Sequence, residues 1–454
     1  MHAKDDLPAL VSAPHLTTAP AAASTRRRFL ARGAGAFAAA VAAPWLVPAS
    51  ALGRNGLIPP SERVAMGFIG VGGQGGGHLL GGAWTYVAGG YAGRKEVQVL
   101  AVCDVWRDRR ENATRKVNAH YEETRGQGNF PLCEAVTDFR RVLDRKDIDA
   151  VLIATPAHWH ATMAALAAEA GKDIYCEKPT AVTIAESQAV HAAVRRHGRI
   201  FQAGTQQRSE YGGRFRLACE LARSGRIGKV HSIYAYRDGG GIAWPTSFAP
   251  GRPVPEDLDW DLYLGPAPWF PYDGNTGAHR FDIGELNWGQ HHYDIVQWAV
   301  GADETGPVEV FLEGGLSCLK YASGVTVYGK GYPGEAVGGD GGVCIVGTTG
   351  RIAVGREIIV SYPEEVLREP LRPDETHLYH SPSHSGNFLE CVRTRKRAIC
   401  DIDVAHHAAT ALLLGGIAKQ LGRSLKWDPQ AERFVNDPAA DRMLSIAKRA
   451  PWNI

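Results

Sequence analysis

The 454-residue sequence predicts an α/β chain with room for two domains, its N-terminal half a doubly wound parallel sheet. Three observations carry that expectation. From Arg63 onward, apolar runs ("VAMGFIG", "VQVLAVCD", "DAVLIATP", "DIYCEKP", "RIFQAG") alternate with amphipathic or alanine-rich stretches, as strands buried on both faces and joined by helices do. The first run passes straight into "GVGGQGGGHLL", a glycine-rich turn that opens a helix. The second run closes on an acid, Asp104. A hydrophobic content of 44% with 22% charged residues suits a globular chain with two cores and excludes a disordered one.

Taken in order, residues 1–51 have the layout of a twin-arginine export signal: Arg26 and Arg27 precede Phe29-Leu30, an Ala/Gly-rich run follows, and Ala49-Ser50-Ala51 forms an A-x-A cleavage site. That run is short and interrupted by Gly and Pro, so no stable membrane span is expected after cleavage, and the expected location is periplasmic or secreted. The formal charge of +2 rests on this segment, and beyond it 45 basic residues face 46 acidic ones, which gives no electrostatic case for nucleic acid. Residues 52–62 read as a linker. The eight cysteines form no C-x-x-C pair and are expected to be small core residues.

Residues 63–180 are expected to form the nucleotide-binding domain. Gly70, Gly72 and Gly75 satisfy G-x-G-x-x-G between a strand and a helix, so the backbone can approach a pyrophosphate at the helix N-terminus, with Gln74 beside it. Asp104 ends the second strand, where a carboxylate accepts hydrogen bonds from the adenosine ribose and repels a 2′-phosphate. NAD is therefore the expected cofactor, while Arg107 or Arg109 leaves NADP open. "ATPAHWHA" places Thr155, Pro156, His158 and His160 at the mouth of the next strand, as cofactor contacts. "CEKPT" then delivers Glu177 and Lys178 to the crevice at the end of a buried strand, and "TIAE" (Thr183 to Glu186) opens a helix as a capping box.

The ordered stretches "GFIGVGGQG", "VCDV", "ATPAHWHA", "AGKDIYCEKP" and "GELNWGQHHYDIVQWAVG" resemble the Gfo/Idh/MocA oxidoreductases, from about Arg63 to residue 397. The resemblance implies a Rossmann domain followed by a second α/β domain (residues 181–424) with an open, largely antiparallel sheet. It also implies a sugar or cyclitol substrate and a homo-oligomer, dimer or tetramer. It lays the nicotinamide-side lysine on Lys178 and the histidine that acts on the reacting hydroxyl on His291. Helical spacing agrees that Asn287 and His291 share a face with Asp294 beyond them, whereas His292 lines up with Val296 and Ala299 as packing. Where the family usually carries aspartate this chain has Asn287, which orients but does not ionise.

The same resemblance puts Arg208, His384 and Asn387 near the sugar pocket, with Asp294 as a further substrate candidate. His377, His380 and His384 are not expected to hold a metal, because Pro382 breaks any helix that would align them and no further ligand completes the set. Residues 404–421 show helical apolar spacing, and residues 425–454 form a C-terminal arm that packs on this chain or a neighbour.

The functional expectation is hydride transfer at a sugar, glycoside or cyclitol carbon by a tightly held NAD that is regenerated in place. Two alternatives stand beside it. One is redox-neutral glycoside cleavage through a transient 3-keto sugar, and the other is a non-catalytic sugar sensor that retains NAD.

Overall fold

The computed structural model describes residues 58–454 apart from 83–84, 127–129, 245–249, 277–280, 282 and 336. The export signal and most of the linker expected before residue 62 lie outside the described residues. Strands β1 (Val64–Ile69), β2 (Val97–Cys103), β3 (Glu134–Val136), β4 (Ala150–Ile153), β5 (Asp173–Cys176) and β6 (Phe201–Ala203) form a parallel sheet in the order β3-β2-β1-β4-β5-β6. The order reverses between β1 and β4, which opens a crevice at the carboxyl ends of these strands. β1, β2, β4 and β5 are buried almost throughout, and so read as unbroken apolar runs. β3 is three residues long and carries only Val136 as a buried residue, too little for an apolar signal.

The helices follow from local chemistry. Ile184–His197 begins with the capping box expected from "TIAE", Thr183 and Glu186 satisfying each other's backbone N–H, and ends on Gly198 in the left-handed region. The sheet reaches β6, so the strand–helix alternation of the first domain continues past residue 180 to Ala203.

β7 (Val230–Tyr234), β8 (Glu309–Glu313), β9 (Leu316–Lys320), β10 (Thr326–Tyr328), β11 (Gly342–Gly347), β12 (Arg351–Gly355), β13 (Ile359–Tyr362), β14 (Leu425–Asp428) and β15 (Arg433–Phe434) form a second sheet in the order β13-β12-β11-β7-β10-β9-β8-β14-β15. It is antiparallel except where β7 runs beside β10. Helices Arg214–Arg223, Leu286–Val300 and Ile402–Leu421 pack on its strands and bury most of the apolar side chains of this half. No helix among the described residues is long and apolar enough to cross a membrane.

The C-terminal arm packs on its own chain. β14 and β15 extend the second sheet, and Trp452 lies against Trp159 and Phe139 of the first domain, ring centroids 4.7 and 5.9 Å away. Glu432 accepts from His406 Nε2 at 2.5 Å, and His407, whose Nδ1 donates to Asp403 O, completes a group whose ligand atoms lie within 4.8 Å of one another. All eight cysteines are free and buried, as expected from their apolar settings.

Arg208 and Asp294, expected at the substrate, serve the fold instead. The Arg208 guanidinium is 2% exposed, donates to Asp294 at 2.9 Å and to both oxygens of Asp303 at 2.9 and 2.7 Å, and stacks on Trp298. Every charged group is spoken for, and the cluster joins the exit of β6 to the Leu286–Val300 helix. Burial pushes Asp294 up to about 6 despite Arg208, while Arg208 itself is held well above its ordinary value by the two carboxylates, which outweigh its burial. One cation therefore holds two acids, and the two positions should differ in mutation. Arg208→Met, which leaves two carboxylates facing each other, is expected to cost about 3–5 kcal/mol in urea unfolding. Asp294→Asn, which leaves a balanced Arg208–Asp303 pair, should cost clearly less, and the reverse order would contradict a structural role for the cluster.

Candidate active site

The crevice begins at the end of β1. Gly70 has φ +83°, and a Cβ there would sit 2.7 Å from Ala154 O. A Cβ on Gly75 would sit 1.9 Å from Gly70 O, so this glycine lets the helix Gly73–Leu80 close on the strand. Gly72 differs: a Cβ there would have only Arg109 Nη1 near it, at 3.5 Å, so this glycine keeps open space in front of the helix N-terminus. A cavity of about 320 Å³ lies here, lined among others by Gly72, Gln74, Asp104, Thr155, Pro156 and Tyr263.

Asp104 Oδ2 accepts from Val71 N and Oδ1 from Trp106 N, both at 2.9 Å. Burial raises its pKa against these bonds and against Arg109 and Arg110. Each oxygen keeps a second lone pair for a ribose hydroxyl. Glycines that keep the helix terminus clear, with an acid at the neighbouring strand end, fit an adenine dinucleotide. Arg109 lines the same cavity.

The two loop histidines behave differently from their expected cofactor contacts. His158 is buried, donates from Nε2 to Tyr263 O at 3.1 Å and lies 4.1 Å from the Phe281 ring, and burial lowers its pKa to about 3. His160 is buried between two carbonyls, Thr155 O at 2.7 Å and Pro179 O at 2.8 Å. It thus joins the exits of β4 and β5, and it is Thr155 and Pro156 that reach the cavity.

Glu177, 3% exposed at the end of β5, accepts on Oε1 from His78 Nε2 at 2.7 Å, Gln74 Nε2 at 3.3 Å and Gln206 Nε2 at 3.4 Å. Burial alone would raise this carboxyl, but His78, Lys178 and Gln74 outweigh it and hold it at about 2. Glu177 is thus an internal anion that fixes the chain from which Lys178 projects. Lys178 Nζ crosses to the second domain and donates to Asn287 Oδ1 at 2.8 Å. Burial lowers the pKa of this ammonium, Glu177 opposes the shift and Arg356 adds to it.

His291, one helical turn beyond Asn287, is 3% exposed, and its Nδ1 is enclosed without a hydrogen-bond partner. Burial, then Lys178 and Arg356, lower its pKa well below the ordinary value, so the ring is neutral at pH 7. His292 has the opposite arrangement: Nδ1 donates to Ala235 O at 2.7 Å, which pins its tautomer as a packing residue.

Lys178 and Asn287 are therefore joined where the two domains face each other, with His291 one helical turn beyond Asn287. His384 and Asn387 make their hydrogen bonds elsewhere. His384 Nε2 donates to Ala203 O at 2.8 Å, and Asn387 accepts from Ile399 N at 2.9 Å and donates to Tyr379 Oη at 2.7 Å. Both seat the His384–Thr394 helix and its exit: the Asn387 amide is used at both ends, while His384 is anchored through Nε2 and its Nδ1 is enclosed without a partner. Sequence reasoning missed His78, Gln206, Trp288, Arg237 and Arg356. Trp288 sat beside Asn287 in a stretch already singled out, whereas Arg237 and Arg356 lie far away in sequence with no pattern to mark them.

Two family models match the chain: "Oxidoreductase family, NAD-binding Rossmann fold" over residues 64–205, and "Oxidoreductase family, C-terminal alpha/beta domain" over residues 243–325 and 356–454. A 2,7-anhydro-N-acetylneuraminate hydratase of Mediterraneibacter gnavus is 34% identical over 183 residues, 40% of this chain and 41% of that one. An alpha-N-acetylgalactosaminidase of Shewanella oneidensis is 31% identical over 194 residues, 42% of this chain and 38% of that one. A levoglucosan dehydrogenase of Pseudarthrobacter phenanthrenivorans is 40% identical over 104 residues, 23% and 26% of the two chains. The chain thus spans less than half the length of each of these relatives. Among solved structures, an NAD-binding protein from Listeria innocua is similar with a TM-score of 0.51 at 19% identity, covering 80% of this chain and 97% of its own. The WlbA dehydrogenase from Bordetella pertussis, in complex with NADH and UDP-GlcNAcA, is similar with a TM-score of 0.50 at 18% identity, covering 81% and 99%. At such identities these two likenesses concern the fold alone. With both halves matched by their models and built as those models describe, the chain belongs to the Gfo/Idh/MocA family of NAD-binding oxidoreductases.

Proposed function

We propose that this chain oxidises a ring hydroxyl of a sugar, glycoside or cyclitol, with NAD held tightly and regenerated in place after export by the twin-arginine route. The observation that carries the reading is the half-buried Lys178 ammonium bonded across the domain junction to Asn287, one helical turn from a neutral His291 whose ring makes no hydrogen bond among the described residues, beside the nucleotide crevice. Gly72, Gln74, Asp104, Thr155 and Pro156 would hold the dinucleotide, and when bound its nicotinamide supplies the hydride acceptor.

The rest is the work of the chain. Lys178 donates a hydrogen bond to the reacting hydroxyl oxygen and stabilises charge that develops there. His291 accepts the hydroxyl proton as general base. No protein carbonyl locks Nδ1, so the imidazole is free to take either tautomer, unlike His292. Asn287 holds the ammonium with its carbonyl oxygen and keeps its amide N–H groups for a neighbouring hydroxyl. The same groups, run forward and back on one sugar, would serve redox-neutral cleavage. The hydratase and glycosidase named above are the reason to test that second reading. A homo-oligomer that covers the open face of the second sheet belongs to the same proposal.

Denaturing protein taken from its native compartment should release nicotinamide absorbance. Sugars and aryl glycosides then divide the readings: cofactor reduction supports oxidation, aglycone release without added NAD supports cleavage, and bound nucleotide with neither leaves a sensor. Lys178→Met should lower kcat by about 100-fold or more while the released nucleotide stays stoichiometric. A variant with full activity would remove Lys178 from the mechanism.

His291 must be unprotonated to act, so activity falls as pH drops through its pKa. Because that pKa is depressed, the acid limb of kcat/KM should lie well below pH 6.5. Lys178 must stay protonated, and its lowered pKa brings the alkaline limb in below pH 10.5. An acid limb at or above pH 6.5 that survives in His291→Gln would assign it to another group.

A further inference from the structure

Three cations surround one indole at the candidate site. The Arg356 guanidinium carbon lies 4.7 Å from the Trp288 ring centroid, that of Arg237 5.8 Å, and Lys178 Nζ 6.0 Å. Arg356 also stacks on Tyr211 at 5.0 Å, and its side chain is only 10% exposed. A guanidinium held by its flat face keeps its N–H groups at the edge, ready for a planar acceptor.

Their neutralisation is incomplete. Arg356 reaches Asp340 at 3.3 Å and Arg237 reaches Glu285 at 3.4 Å, both long contacts to acids that are 40% and 44% exposed. The Nε atoms of both arginines are enclosed without a partner. Lys178 gains no carboxylate from the second domain, because its partner there is the neutral amide of Asn287, and Glu177 is already bonded to His78 and Gln74. Arg208, by contrast, has two acids within 3 Å.

Resting on the reading of the site as a sugar oxidoreductase, we infer that its substrate is an acidic sugar whose carboxylate docks on Arg356 and Arg237 across Trp288. The carboxylate of a uronic acid is bonded directly to the ring, so it shares a compact pocket with the ring hydroxyl offered to Lys178 and His291. Arg356 meets this need, since it acts electrostatically on both Lys178 and His291. Asn287 fits as well, because an aspartate there would repel the incoming anion.

The test uses the nucleotide-loaded protein and matched pairs of methyl uronides and methyl hexosides in the gluco, galacto and manno series, with glucose 6-phosphate as a second anion. Isothermal titration and cofactor reduction are read in parallel. One uronide should bind at least about tenfold more tightly than its neutral partner, with an affinity that weakens as salt is raised. Arg356→Gln should reduce that preference by about 10–100-fold, and Arg237→Gln should reduce it in the same direction if the first variant does not retain nucleotide. Three outcomes overturn the inference: no uronide exceeds its partner, the preference survives both substitutions, or glucose 6-phosphate binds more tightly than every uronide. Selective uronide binding without cofactor reduction or cleavage would defeat the proposed activity and leave the acidic ligand standing. Turnover of neutral sugars without preference would do the opposite.

Discussion

A carboxylate shut away from water at the end of a parallel strand has to be answered by donors, and Glu177 is answered from several directions. His78 and Gln74 come from the helix behind the glycine turn, Gln206 from the segment after β6, and the backbone N–H of Lys178 from the next residue. A side chain at Gly204 would put its Cβ 2.8 Å from the carboxyl group, so even the neighbouring backbone is shaped around this anion. Leaving such a charge unpaired would cost several kcal/mol, so these donors are tied together wherever the fold forms. The consequence reaches the site, because the residue after Glu177 is Lys178. Its backbone is held by the same network, and its ammonium is delivered across the domain junction to Asn287.

The chain handles its other buried charges in the same spirit, with one departure. Arg208 is enclosed by Asp294 and Asp303, and Arg226 donates to both oxygens of Glu375 at 2.7 and 2.6 Å. The first cluster is enclosed and the second pair lies nearer the surface, and none of these residues lines the nucleotide cavity. Around Trp288 the balance changes: Arg356, Arg237 and Lys178 converge with weaker acidic partners. Incompletely neutralised cations are tolerable where a ligand completes the pairing, and such positions mark function better than the well-paired ones do.

This contrast explains what was legible in the sequence. The first sheet was readable because its strands are covered on both faces and its turn needs glycine at Gly70 and Gly75 for steric reasons that hold in any context. The capping box at Thr183 and Glu186 was readable because its chemistry is local. β3 escaped notice because three residues with one buried side chain make no pattern. Lys178, Asn287 and His291 came from a strand end and one helix face, so spacing and resemblance sufficed to place them near one another. Arg208, Asp294, His384 and Asn387 carry the same kinds of polar group, but whether such a group faces a ligand or a backbone carbonyl depends on what the fold brings opposite it. For His384 that was Ala203 O, on the last strand of the other domain. Arg237 and Arg356 were invisible for the same reason in reverse, since only tertiary structure brings them to Trp288.

The adjacent pair His291 and His292 shows how little separates a packing histidine from a chemical one. Both are buried, both are neutral at pH 7, and burial is the leading cause of the depressed pKa in each. One residue on a helix turns the side chain by about 100°. That rotation takes His292 to a carbonyl of the second sheet's β7 exit, which consumes its N–H and leaves it nothing to exchange. It takes His291 toward Lys178 and Trp288, where Nδ1 meets no acceptor and the nearest charges are cations. A buried imidazole without a partner is destabilising unless something else compensates it. His78, His158 and His384 share an enclosed, unpartnered Nδ1, but each of those rings is anchored through Nε2, on Glu177, Tyr263 O and Ala203 O, whereas no hydrogen bond among the described residues holds either nitrogen of His291, which leaves its Nε2 for chemistry.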